Sequence, residues 1–356
     1  MAAYSPAPQT DLNPCGAMDV ALDAGRSLER APGGQSAAAE ARAGFSPFVL
    51  AVGGFALGTL AILGVAWGFR PTPRLFAGFA VIAAMTGLPF VVYRNFRNEQ
   101  RIAYAFGALG LMVGVSYVNA CLALVAMASP IPLQDPWLLS SSAAIGFDYR
   151  ALLEWIAARP PLGELLKLAY LSSGPMTYVA PVILAWTRQN RRLRRFVTLY
   201  ALVLTLCVSI AILLPSEGYA LYAPLPADLA RRLPPGAATF YGAVAEAYRS
   251  GALRVLDPSH FDGVVVFPSF HTAMALLTVY ALWETPILRV AAVALGGAVL
   301  LSVVPIGGHY VWDVVAAVVL FAGALPIARR CETRFVADQA SRRRAASSAL
   351  QQRAFS

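Results

Sequence analysis

Apolar residues run through this chain in long blocks rather than in the short alternations of a soluble fold. A membrane-crossing helix needs roughly 20 mostly apolar residues. Eight blocks qualify: 48–69, 75–93, 102–128, 170–187, 196–214, 264–283, 287–305 and 309–327. Pro175 and Pro181 interrupt the fourth, which a span tolerates where neighbouring helices restore the lost hydrogen bond. The pattern predicts an all-α polytopic bundle of about eight transmembrane helices. Ahead of it, residues 1–44 are rich in Ala, Gly, Pro and Ser, lack the apolar core of a signal peptide, and read as a disordered tail. Residues 129–169 read as a loop. Within it, "AAIGFDYRALLEWIAA" (143–158) sets Phe147, Leu152, Trp155 and Ile156 near one helical face, as an interfacial helix would. Residues 236–256 read the same way. Gly110 with Gly114, and Gly296 with Gly297, are expected at close helix contacts.

Composition agrees. Only 13% of residues are charged, against about 25% in soluble domains, which excludes that class. The net charge is +9, and its placement says more than its size, because basic residues gather on the cytoplasmic side. With the N-terminus inside, 19 of the 28 Lys and Arg fall in cytoplasmic segments, "RQNRRLRRF" (188–196) being the strongest anchor. Both termini are then cytoplasmic, residues 328–356 form a basic tail, and the sixth and eighth spans both begin at the external face of an inner or plasma membrane. Nothing calls for nucleic acid. Cys15 and Cys331 lie in tails and Cys121 and Cys207 in spans, so neither a disulfide nor a cysteine metal site is expected.

Chemistry enters at those two beginnings. "FPSFH" carries His271, and "GGHYVWD" carries His309 and Asp313; these are the only histidines and the only carboxylate in the eight blocks. Lipid penalises such groups, so they mark a functional site. His309 and Asp313 are one helical turn apart, and a carboxylate there fixes the imidazole tautomer and frees the other nitrogen as an electron-pair donor. Pro268 and Ser269 suit a helix start, and Gly307 and Gly308 let backbone approach a ligand. Two helix N-termini would then offer free amides to an anion, phosphate above all. The combination suggests phosphoryl transfer through a phosphohistidine. A zinc or iron site of two His and one Asp is a chemical alternative, without a further ligand in view. A transporter using the cluster as a proton relay is another, against which stands the gathering of all three residues at one face. His260, in "LDPSHFDG", reads as a solvated loop residue.

"FPSFHTA" and "SVVPIGGHYVWD" resemble the second and third motifs of the type 2 phosphatidic acid phosphatase superfamily, PSGH and SRxxxxxHxxxD. Pro268, Ser269 and His271 match the second, with Phe270 in place of Gly; Ser302, His309 and Asp313 match the third, with Val303 in place of Arg. The first motif, KxxxxxxRP, is not found near 215–250, and the single lysine, Lys167, precedes a different helix. A bulky residue in the second motif and the missing Lys and Arg are features of the branch that holds the inositol phosphorylceramide synthases, an inositolphosphotransferase branch. The "LLPSEGY" turn is also similar to it. The resemblance covers about 170–327 and is specific over about 20 residues.

That resemblance implies a six-helix catalytic core made of spans three to eight, with two of the three spans in 45–128 added in front. It implies His309 as the nucleophile, Asp313 as its orienting partner, His271 as acid and then base, and Ser269 as a contact to a phosphate oxygen. No metal or cofactor is implied. The substrate would be a lipid phosphate or phospholipid, and water or an alcohol the acceptor. Arg254 and Arg249, then Arg231 and Arg232, are the nearest cations that could replace the missing ones. An inactive membrane scaffold is the remaining rival.

Overall fold

The computed structural model describes residues 44–239, 242–261 and 265–354, which are built almost wholly of helices. The expected tail, with Cys15, lies outside the described residues apart from Gly44. Helix α1 (Pro47–Ala66) starts where the Ser46 hydroxyl accepts the Phe48 N–H and Pro47 takes the first helical position. Helix α2 (Pro73–Asn95) contains a π-helical turn at Ala83–Gly87, and α3 spans Gln100–Met127. Short helices α4 (Asp135–Ala144) and α5 (Tyr149–Ala157) lead into α6 (Pro160–Trp186) and α7 (Asn190–Leu213). Then come α8 (Tyr219–Tyr222), α9 (Ala227–Arg232), α10 (Gly242–Arg249), α11 (Phe270–Leu282), α12 (Pro286–Val303) and α13 (Val311–Ala354).

Seven of these, α1, α2, α3, α6, α7, α12 and α13, are long and apolar enough to cross a membrane, and the chain is an integral membrane protein. Helix α7 is the hub: 72% of its apolar window is buried, and it packs on α1, α3, α6, α11 and α13. The eighth apolar helix, α11, has 13 residues, about 20 Å at 1.5 Å per residue, short of the roughly 30 Å hydrocarbon core. The apolar pattern puts this span at 264–283. The Ser269 cap fixes the first helical residue at Phe270, so residues 265–269 run non-helical.

Other expectations shift in the same way. Helix α6 begins ten residues before the predicted span, because Pro160 and Pro161 open a helix whose first turns carry the polar Glu164 and Lys167. The 143–158 segment divides between α4 and α5, and Asp148 caps α5 at Ala151. The start at Tyr149 rotates the buried face to Tyr149, Leu153 and Ile156; Trp155 is exposed, with the Arg159 guanidinium 4.2 Å over its ring. Gly110 and Gly296 do sit at tight contacts, where an added Cβ would lie 2.9 Å from Thr86 Oγ1 and 3.0 Å from Val279 Cγ2; Gly114 and Gly297 face open space.

The expected basic tail is largely a continuation of α13. Glu332 there is fully buried and accepts from Arg194 Nε at 2.8 Å. Tyr104 of α3 hydrogen-bonds the same guanidinium, which joins three helices. Arg194 belongs to the run read as a solvated anchor, so one of its charges is a core residue. Arg192, in the same run, pairs with Glu284 and lies over the Tyr280 ring.

A two-residue parallel ladder ties the α1–α2 connection to the segment before α11: β1 (Arg70–Pro71) pairs with β2 (Val255–Leu256). The Thr72 backbone N–H and hydroxyl both donate to the Leu256 carbonyl, at 3.1 and 3.2 Å. Next to the ladder, the Ser259 hydroxyl and N–H donate to Asp257 Oδ1 at 2.6 and 2.9 Å, and these bonds hold the Asp257 carboxyl down to about 2.

Candidate active site

His309 sits on the turn between α12 and α13, and that turn is built for glycine. A Cβ on Gly307 would lie 2.7 Å from the Tyr170 ring and 2.8 Å from His309 Cδ2. Gly308 has φ +72°, and a Cβ there would lie 2.8 Å from the Ala238 carbonyl oxygen. Ala238 N–H donates to the Ile306 carbonyl at 2.6 Å, locking the 234–239 segment onto the turn. His309 Nδ1 then lies 3.0 Å from Asp313 Oδ2, and the same oxygen accepts the Tyr310 N–H at 2.9 Å. Asp313 is fully buried, and its Oδ1 has no partner among the described residues. With Nδ1 donating to the carboxylate, Nε2 keeps its lone pair. The ring also approaches the Val266 backbone carbonyl.

His271 is the second residue of α11. The Ser269 hydroxyl accepts the Thr272 N–H at 3.3 Å, and the Ser269 N–H donates to the Asp313 carbonyl at 3.1 Å. The cap of α11 is therefore fastened to the first turn of α13, which sets the two histidines against each other. Their ring centroids are 6.2 Å apart. His271 stacks on Tyr170 with centroids 4.0 Å apart, and its Nδ1 lies 3.1 Å from Tyr170 Oη. Both imidazoles border a cavity of about 210 Å³ that runs past Met274 between α3, α6, α7 and α11.

The remaining predicted residues lie elsewhere. Ser269 is fully buried and does not border the cavity. Arg249 donates to the Ser129 and Ile131 carbonyls at 2.5 and 2.8 Å. Arg254 donates to the Tyr248 carbonyl at 3.0 Å and lies 5.5 Å over the Phe69 ring. Both arginines are engaged by backbone carbonyls of turns, and neither borders the cavity. Arg231 and Arg232 are exposed on α9. Among the described residues lining the cavity there is no Lys or Arg. The expectation of free amides at both helix starts fails for α13, where Asp313 takes the Tyr310 N–H and Tyr149 Oη takes the Val311 N–H at 3.0 Å. His260 is a partly exposed residue of the connection before α11, and its Nδ1 lies 2.8 Å from Tyr248 Oη.

Two residues beside the histidines escape a reading of sequence alone. Tyr170 has no motif around it and reads as ordinary span packing. Asp135 lies at the start of α4, yet it is fully buried and accepts from Tyr310 Oη at 3.1 Å, from the Ser216 hydroxyl at 3.0 Å and from the Glu217 N–H. Burial pushes its carboxyl above the usual carboxylate range, and those bonds pull it back. The only hint in the sequence is the "PSEG" turn, whose Ser216 and Glu217 are its partners.

The arrangement supplies an imidazole oriented by a carboxylate, a second imidazole beside it, and a cavity that both border. No curated protein and no solved structure matches the chain. A family model described as the PAP2 superfamily, whose members are phosphatases, matches residues 136–327, which takes in α4 and α5 as well as the two histidines. That is more than half of the chain, and the chain belongs to the PAP2 superfamily, as a membrane protein of phosphatase type with phosphoric-ester chemistry.

Proposed function

We propose that the chain is a membrane lipid phosphatase or phosphotransferase that cleaves a lipid-linked phosphoester through a phosphohistidine, without a metal. The observation that carries this is the His309–Asp313 hydrogen bond of 3.0 Å facing His271 across 6.2 Å. His309 Nε2 attacks phosphorus while the P–O bond to the leaving alcohol breaks. Asp313 stabilises the charge that develops on His309. Protonated His271 donates its Nδ1–H to Tyr170 Oη and its Nε2–H to the departing oxygen. Neutral His271 then takes the proton of water or of an alcohol as that oxygen attacks phosphorus and the P–N bond breaks.

With no Lys or Arg among the described residues of the wall, the positive charge that phosphate meets comes from the imidazoles themselves. Phe270 and Val303, standing where Gly and Arg are usual, support placing the chain in the inositolphosphotransferase-like branch, with a phosphatidate, a polyprenyl diphosphate or a phosphoinositol lipid as substrate. Ser116 and Asn119 of α3 border the cavity, which supports counting α3 within a six-helix core although the family match starts after it. The distribution of arginines supports a site at the external leaflet with both termini cytoplasmic.

The test is to trap the protein with a phosphorus-labelled lipid phosphate. Label should appear on protein in the wild type and be acid-labile, as a phosphoramidate is. His309→Ala should lose both label and phosphate release while remaining folded. Turnover retained in that variant would remove the nucleophile.

A further inference from the structure

A second pocket adjoins the turn that carries His309. It holds about 610 Å³ between the α4–α5 connection and the chain from α8 to α9, and it shares no lining residue with the cavity that the histidines border. Tyr149 and Tyr219 belong to its wall, stacked with ring centroids 4.5 Å apart. Both grip the His309 turn. The Tyr219 N–H donates to the Gly308 carbonyl at 3.3 Å and its hydroxyl to the Val304 carbonyl at 3.2 Å, while Tyr149 Oη takes the Val311 N–H at 3.0 Å. The two tyrosines therefore hold backbone on either side of His309.

The wall favours an apolar occupant. Leu139, Phe147, Leu225 and two prolines line it together with the tyrosine rings. Its polar side chains are already engaged within the protein. Tyr149 Oη donates to Ser142 Oγ at 2.7 Å besides accepting from Val311. Asp148 Oδ1 accepts the Ala151 N–H at 3.0 Å, and Arg150 pairs with Glu154 at 2.9 Å. Asp148 and Arg150 carry opposite charges, so the pocket offers an ion no net attraction. A polar ligand would give up water for few new partners, whereas a hydrocarbon has none to lose. The volume falls within the roughly 300–1,000 Å³ of small-molecule sites.

The rim sets the pocket against lipid. Ile145, next to the lining Gly146, is 61% exposed, and Trp137 of α4 and Trp155 of α5 are 58% and 49% exposed. On the other segment, Tyr222 precedes the lining Ala223 and is itself exposed. Indole and apolar side chains left this open on short helices suit the boundary between bilayer and water, where Trp and Tyr gather. A bilayer there offers hydrocarbon at the mouth of the pocket.

We propose that this pocket seats one acyl chain of a bilayer phospholipid other than the substrate, and that the seated chain steadies Tyr149 and Tyr219 and, through them, the His309 turn. The site itself stands apart from the phosphoryl chemistry. Its effect on turnover rests on the reading of His309 as the nucleophile.

The test places the full chain in nanodiscs of phosphatidylcholine with a diazirine in one acyl chain, and maps the labelled peptides after photolysis. Label appears on Leu139, Phe147 or Leu225 as well as on the exposed Phe76 and Met85 of α2, which serve as the control for general lipid contact. Leu225→Asp, which sets a charge in the apolar wall, lowers labelling of Leu139 and Phe147 about tenfold and leaves α2 unchanged. Ala143→Trp fills the pocket from an exposed position without a charge and does the same. Phosphate release from a lipid phosphate falls severalfold in Leu225→Asp, through kcat rather than KM. Label absent from the pocket residues overturns the site, as does label on Leu139 that survives both variants. Label lost when two copies share one disc gives the pocket to a second copy and also overturns it. Unchanged phosphate release in Leu225→Asp removes the link to the His309 turn and keeps the site. An active His309→Ala removes the phosphoryl reading while the labelling stands.

Discussion

Tyr310 reaches across 175 positions of sequence to donate its hydroxyl to Asp135 Oδ1 at 3.1 Å, while its own N–H is held by Asp313. One residue thus links the neighbour of the candidate nucleophile to a buried acid on α4. Tyr310 is fully buried, and its ring meets Tyr149 edge-on with centroids 5.5 Å apart.

Replacing Tyr310 with Phe keeps the ring and removes one donor from a buried carboxylate. The expected cost is about 1–3 kcal/mol of unfolding free energy, with a lowered kcat for phosphate release because the His309 turn loses its anchor. Denaturant titration in micelles and steady-state kinetics measure the two effects. An unchanged kcat would mean that Asp135 serves folding alone.

The glycine pair makes a sharper demand. Gly308→Ala must hold a side chain at φ +72° and within 2.8 Å of the Ala238 backbone oxygen. The left-handed conformation alone costs about 1–2 kcal/mol, and the clash adds to it because backbone cannot swing aside. Gly114→Ala, which meets nothing within 4 Å, serves as the control and should match or exceed wild-type stability, as Ala is the better helix former. Thermal unfolding of the two variants decides it.

At the other end of α7, Glu332→Ala leaves Arg194 as a buried charge without its counter-ion. The loss should be about 3–5 kcal/mol. The double variant Arg194→Met with Glu332→Leu should recover most of it, since an apolar pair of similar volume avoids the desolvation of both ions. A double variant as unstable as the single one would show that Tyr104 and its neighbours depend on the charges.

Asp257 predicts a pH dependence. Its folded value, about 2, lies below the roughly 3.9 of an unfolded Asp, so the unfolded state binds the proton first on acidification. The stability it contributes is complete above about pH 4 and is lost as the pH falls through about 2. Asp257→Asn should therefore unfold more easily than wild type at pH 7, with the difference closing between pH 4 and pH 2. A constant difference across that range would show that the Ser259 bonds do not depend on the charge.

What the sequence disclosed divides along physical lines. His271, His309 and Asp313 stood out because ionisable groups are rare in apolar blocks, and their helical spacing already implied a shared pocket. The spans were legible from length and hydropathy, except where a cap shortened α11 and where prolines began α6 early. Arg249 and Arg254 were singled out for nearness in sequence, but a guanidinium in a turn-rich connection finds backbone carbonyls first. Arg194 resembled the other arginines of its run because its partner Glu332 lies 138 positions away. Tyr170 and Asp135 matter through contacts between distant segments, which no local pattern encodes.

The ladder between Arg70–Pro71 and Val255–Leu256 has a consequence for how such a protein is divided. The leading pair of helices falls outside the stretch matched to the superfamily, yet its hairpin is stitched to the strip of chain that continues to Phe261, Val265 and Val266 on the cavity wall. Tyr117 reinforces that seam, meeting Phe79 of α2 on one side and Phe261 on the other. The first two helices act as a buttress for the cavity that the two histidines border. A shortened chain that begins at α3 would keep every histidine and forfeit the support of the wall beside them.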